Sequence, residues 1–105
     1  MFGLSNEIYS KIIEIIKKHN YNFFIFGSRA RGDYKKNSDI DIAIEGIINE
    51  KDEMSIRNDF DMLQIPYTID LVFIYKTEKE ELLKFIKKEG IKLQWINLIK
   101  KKRIF

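Results

Sequence analysis

These 105 residues predict an α/β domain built on one central sheet. Three observations carry that expectation. Segments with apolar residues at helical spacing alternate with short β-branched or aromatic runs. Gly and Pro punctuate the junctions between them. No repeat, low-complexity stretch or linker interrupts the pattern, and a chain of this length rarely supports two cores.

The elements follow in order. Residues 5–19 place Ile8, Ile12, Ile13 and Ile16 at helical spacing, with Ser5 or Asn6 available as N-cap and His19–Asn20 closing the helix. The run Asn22-Phe23-Phe24-Ile25-Phe26 is too apolar for a solvent-facing strand and reads as a buried one, halted at Gly27. Arg29–Ala30–Arg31 leaves room for a short helical turn before Gly32, within a polar stretch that reaches Ser38. The second strand is Asp39–Glu45, ending at Gly46. Residues 50–64 carry Ile56, Phe60 and Leu63 on one helical face, with Pro66 as the terminator. Tyr67–Tyr75 is β-branched and aromatic throughout and predicts the third strand. Thr77 and Glu80 have the spacing of a capping box, opening a helix that contains Leu82, Leu83, Phe85 and Ile86 and is capped by Gly90. Ile91, Leu93 and Trp95 alternate with polar residues and suggest a short fourth strand.

Composition narrows the function classes. Hydrophobic residues make up 45% and aromatic residues 13%, ample for a core and contrary to disorder. Cysteine is absent, which excludes a disulfide framework and thiolate chemistry. No apolar run approaches the roughly 20 residues that span a bilayer, and the start of the chain lacks the pattern of a signal peptide. A cytoplasmic protein without a membrane partner is expected. The net charge of +3 comes from 19 basic and 16 acidic residues. That excess is too mild to predict direct nucleic-acid binding, and the terminal Lys100–Lys101–Lys102–Arg103 run reads as a solvated tail.

Chemistry concentrates in the stretch GSRARGDYKKNSDIDIAIEG. A strand turns alternate side chains to one face, so Asp39, Asp41 and Ala43 point one way and Ile40, Ile42 and Ile44 the other. Two carboxylates roughly 6–7 Å apart repel by about 2–3 kcal/mol at an effective dielectric near 20. A bound divalent cation would offset that. Taken alone, the pair reads equally as the wet face of an edge strand. Asp70, between Ile69 and Leu71, would be expensive to bury without a partner. If the third strand neighbours the second, Asp70 completes a trio that cannot fully ionise without counter-charge, and its hard oxygen donors suit Mg²⁺. Gly27–Ser28, at the end of the first strand, lets backbone approach a phosphate closely. Ser28 adds a hydroxyl, and Arg29 and Arg31 are candidates to neutralise a triphosphate, although a turn and solvated arginines would look the same.

Two other matches do not hold. Gly27 and Gly32 have Walker A spacing, but Asp33–Tyr34 stands where Lys and Ser/Thr are required. Arg31-Gly32-Asp33 spells an adhesion tripeptide, which means little in a chain without cysteines or a signal peptide. His19 is expected to serve a helix C-terminus rather than catalysis, and Trp95 to join the core.

Gly-Ser, ten intervening residues, Asp-x-Asp and a later Asp on a strand together resemble the nucleotidyltransferase superfamily that includes DNA polymerase β. The GSRARGD opening is similar to the minimal nucleotidyltransferases that pair with HEPN-domain proteins in prokaryotic toxin–antitoxin systems, and Lys88-Glu89-Gly90-Ile91 is similar to a late helix end in that family. The resemblance spans residues 1–105 as one minimal domain with a mixed sheet flanked by helices. It implies that Asp39 and Asp41 hold two Mg²⁺ ions, that Asp70 ligates one of them and helps deprotonate an attacking hydroxyl, and that Gly27 and Ser28 bind the phosphates of ATP. It further implies transfer of AMP to a hydroxyl, a Tyr, on a cognate HEPN toxin, with pyrophosphate released. Two rivals are a non-catalytic antitoxin that acts by occlusion and a small-molecule nucleotidyltransferase. The latter usually carries a further acceptor domain, for which these elements leave no room.

Overall fold

The structure, a computed structural model, describes residues 1–94. Its first helix, α1 (Asn6–Lys18), starts where Ser5 in the β region accepts a hydrogen bond from the Ile8 N–H. Glu7 in the first turn and Lys17 and Lys18 in the last complement the helix dipole. Tyr9, Ile12, Ile13 and Ile15 are buried on one side. After His19 the chain extends into β1 (Asn22–Phe26), turns through α2 (Ser28–Arg31) and returns as β2 (Ile40–Glu45). Then come α3 (Glu50–Asp61), β3 (Ile69–Phe73), a 3-10 turn over Ile74–Lys76, α4 (Glu80–Glu89) and β4 (Ile91–Lys92).

The strands form one mixed sheet in the order β3-β2-β1-β4. β1 is antiparallel to both β2 and β4, whereas β2 and β3 run parallel. Alternation gives the sheet two different faces. Phe23, Ile25, Ile40, Ile42 and Ile44 join the residues of α1 and α3 in the main core, where Ile56 and Phe60 also pack. Phe24, Phe26, Ala43 and Val72 lie on the other face, against Leu82 and Ile86 of α4. Ile40, Ile42 and Ile44 are fully buried, each contributing about 1.5–3 kcal/mol relative to exposure. This is the predicted α/β domain, a central mixed sheet flanked by helices.

Several boundaries differ from expectation: β2 starts at Ile40 rather than Asp39, and others shift for local reasons. α3 stops at Asp61, short of residue 64, and Leu63 donates instead to the Phe60 carbonyl in a tighter turn. Leu63 and Ile65 still reach the core from the loop, so their apolar character needs no further helix. β3 is shorter than Tyr67–Tyr75. The 3-10 turn brings both Tyr75 and Lys76 to Glu53 on α3, at 3.0 and 2.7 Å, which neighbouring residues of a strand, pointing to opposite faces, could not both reach. Thr77 does not cap α4: its hydroxyl donates to the Phe73 carbonyl, and Lys79 takes the N-cap position. Gly90 does end α4, but in an extended conformation (φ −61°, ψ 131°) rather than a left-handed one. Glycine is needed there because a Cβ would run into the Ile86 carbonyl oxygen. Trp95 and the terminal basic run lie outside the described residues. Among the described residues no helix is long and apolar enough to cross a membrane.

Candidate active site

The site forms where β1 ends and β2 and β3 begin. β1 and β2 are antiparallel, with Phe26 opposite Asp41, so the chain leaving β1 passes directly over the Asp41 carboxylate. Gly27 makes that passage possible. Its φ of +76° is a left-handed value that favours glycine, and a Cβ at this position would collide with Asp41 Oδ2. Ser28 then opens α2, whose first N–H groups have no partner within the helix. The Gly27 carbonyl accepts from the N–H groups of Ala30 and Arg31, and Gly32 closes the turn.

The parallel register of β2 and β3 sets Asp41 directly opposite Asp70. Partners in register share a face, here the one that also carries Ala43 and Val72. Asp39 precedes β2 and is exposed, as is Asp70, while Asp41 is partly buried. The cost foreseen for burying Asp70 is therefore avoided by keeping it at the surface. Asp41 bears the strain of the cluster. Its carboxyl is raised from 3.8 to about 6, first by burial, then by the charges of Asp70 and Asp39 and a hydrogen bond with Asp70, with Arg31 pulling the other way. Two carboxyl groups can share a hydrogen bond only when one is protonated. Arg31 only partly offsets the repulsion, since the Asp41 carboxyl still stands at about 6, and the hard oxygen donors of the cluster are of the kind that binds Mg²⁺. Among the described residues, no three such side chains already stand as a ready-made ligand group.

The two arginines part company. Arg31 is half-exposed, pairs with Asp33 at 3.2 Å and Glu89 at 3.0 Å, and exerts its charge on Asp41. Arg29, expected to face a triphosphate, points into the protein and is only 2% exposed. Its guanidinium donates to the carbonyls of Ser38 and Phe2 and lies over the rings of Tyr34 and Tyr67. Sequence reasoning missed Tyr34, Ser38 and Tyr67 as its partners, because nothing in their spacing marks a shared arginine. Glu89 lies in the late helix end noted above, and its pairing with Arg31 ties α4 to the turn after β1. His19 bonds Asp59 at 2.8 Å, remote in sequence from the carboxylates and in a structural role.

Comparison with known proteins places the chain in a class. A family model described as "Polymerase beta, Nucleotidyltransferase" matches residues 10–96. The chain belongs to that nucleotidyltransferase family. No curated protein matches it. Among solved structures, its fold is similar to that of a chain from a toxin-antitoxin crystallised with AMP-PNP, with a TM-score of 0.62 and 22% identity over 81% of this chain and 71% of that one. A candidate nucleotidyltransferase from Sulfolobus solfataricus matches with a TM-score of 0.47 and 26% identity over 81% and 74% of the two chains.

Proposed function

We propose that this chain is an antitoxin nucleotidyltransferase that moves AMP from ATP to a hydroxyl, a Tyr, of a cognate HEPN-type toxin. One observation carries the reading: Asp41 lies in register with Asp70 beneath a glycine that must be glycine, with Asp39 acting on the same carboxyl. Membership of the nucleotidyltransferase family supports the reaction class. The toxin-antitoxin crystallised with AMP-PNP, which shares the fold, supports the nucleotide and the setting.

Asp39, Asp41 and Asp70 would hold Mg²⁺, two ions in the full site. Bound there, the metal supplies charge neutralisation for the triphosphate and for the attacking and leaving oxygens. The chain's own residues do the rest. Ser28 and the N–H groups opening α2 receive the terminal phosphates, and Arg31 adds positive charge beside them. Asp70, at the surface, accepts the proton of the acceptor hydroxyl. That oxygen bonds to the α-phosphorus, the bond to the β-phosphate oxygen breaks, and pyrophosphate leaves with its electron pair.

Incubating the purified pair with Mg²⁺ and ATP labelled at the α-phosphate tests the reading. Label on the toxin supports it, and an unlabelled toxin overturns it. Intact mass of the co-expressed toxin identifies the nucleotide and the number added. A second reading, neutralisation by occlusion without turnover, is favoured by the absence of a ready-made ligand group among the described residues. Protection of cells by Asp39→Asn would select it.

A further inference from the structure

Among the described residues, Arg29 is a buried cation with no carboxylate against it. Among the described residues it forms no ion pair, and its partners are three carbonyl contacts and two aromatic rings. Nε and Nη2 both donate to the Ser38 carbonyl, at 3.0 and 2.8 Å, and Nη1 donates to the Phe2 carbonyl at 2.9 Å. The guanidinium carbon lies 4.5 Å from the centre of the Tyr67 ring and 5.3 Å from that of Tyr34. Gly3 leaves the room this stack needs, since a side chain there would meet both Tyr34 and Arg29 Nη1.

A buried guanidinium is a costly way to fill space when an apolar side chain could do so. What it supplies is a rigid two-pronged grip, and the chain it grips matters. The Ser38 carbonyl belongs to the peptide group whose nitrogen is that of Asp39. Just before it, Lys35 and Ser38 close a tight turn through Ser38 Oγ at 2.7 Å and the Lys35 carbonyl at 3.1 Å. Just after it, the Ile40 N–H donates to the Thr68 carbonyl at 2.9 Å, next to the Tyr67 that stacks on the same guanidinium. Arg29 itself sits one residue beyond Ser28. A single side chain thus touches the chain at all three approaches to the acidic cluster.

Resting on the proposed site, we infer that Arg29 is a positioning residue: it fixes the Asp39 peptide and the lead into β3, and so sets where Asp39 and Asp70 stand relative to Asp41, without touching nucleotide. Arg29→Lys keeps the charge but loses the paired donors and the planar stack.

The test has two readouts. In ¹⁵N relaxation of the metal-free protein, the Asp39 amide is expected to be as ordered as β2, with an order parameter of about 0.85, and to fall below roughly 0.6 in Arg29→Lys while Ile42 and Ile44 are unchanged. An Asp39 amide that stays ordered in the variant overturns the inference. If Arg29→Lys does not fold, Tyr67→Leu, which removes one stacking face and leaves the Ser38 bonds available, is read the same way. Mn²⁺ titration followed by electron paramagnetic resonance is the second readout. Arg29→Lys should weaken binding by about 10-fold, and should cause a smaller further loss in an Asp39→Asn background, where only the effect through β3 remains. An equal loss in both backgrounds overturns positioning through Asp39. A wild-type protein that orders Asp39 through Arg29 yet binds no Mn²⁺ sinks the transferase reading and leaves the positioning role standing.

Discussion

Two acidic regions of this small domain are handled in opposite ways. On α3, every acid in the interior-facing set is answered from within the protein. Asp59 meets His19 at 2.8 Å, Asp52 accepts the Tyr21 hydroxyl at 2.5 Å, and Glu53 accepts from Lys76, Arg57 and Tyr75. Lys76 is the largest influence on Glu53 and holds its carboxyl below the usual range despite burial. At the strand ends, Asp41 lies in register with Asp70, Asp39 acts on it from just ahead of β2, and the Asp41 carboxyl is driven upward to about 6. The same side-chain chemistry is stabilised in one place and left in deficit in the other. A fold that supplies three partners to Glu53 can neutralise acids where it needs to, and under the proposed function the deficit at the strand ends is the place for a cation.

The comparison can be broken most directly at Asp41. Asp41→Asn should lower transfer of labelled AMP by more than about 100-fold, since even residues behind a metal ligand commonly cost 10–100-fold. The same substitution should raise the melting temperature of the metal-free protein at pH 7.5, because it removes like-charge repulsion. Loss of stability instead would show that the cluster is a structural feature. At the other region, Glu53→Gln should destabilise the fold by about 1–2 kcal/mol in denaturant titrations, since it weakens several charge-assisted hydrogen bonds at once. No site variant of the strand-end cluster should do so.

The smallest effect separates the two regions by the sign of their pH response. Asp41 binds its proton more tightly folded than unfolded, so it opposes folding above about pH 6 and relief grows as pH falls from 6 towards 3.8. Glu53 is shifted the other way. Its contribution is present above its ordinary 4.5 and is lost as pH falls through its lower folded value. Between these two groups, metal-free stability should therefore rise as pH falls from 7 to about 4.5, and Asp41→Asn should flatten the slope between pH 5 and 7. Thermal melts across that range measure both, and a wild-type curve still rising to pH 7 would contradict the assignment.

Much of the site was legible because it depends on short-range geometry. Strand alternation turns Asp41 to the side of Ala43, with Asp39 just ahead of the strand rather than in it as expected, and the buried run Asn22–Phe26 ends at Gly27 as its composition requires. Asp70 stood out because a carboxylate between Ile69 and Leu71 needs a reason. The misreadings arose where distant partners outcompeted local signals. Thr77 has the spacing of a cap, yet the Phe73 carbonyl takes its hydroxyl. Tyr75 and Lys76 have strand propensity, yet Glu53 draws both into a turn. Arg29 follows Ser28 like a phosphate ligand, yet carbonyls at Ser38 and Phe2 and a ring at Tyr67 enclose it. The partners of Tyr75, Lys76 and Arg29 are not visible from the neighbouring sequence.

The pairing of β2 with β3 has a consequence for how this domain can change over time. Among the described residues, β3 lies at the margin of the sheet and pairs with β2 alone. Slippage by a single position would swing Asp70 to the greasy side and put Ile69 or Leu71 across from Asp41. A one-residue insertion or deletion that shifted this register would thus part Asp70 from Asp41 with every motif residue still present.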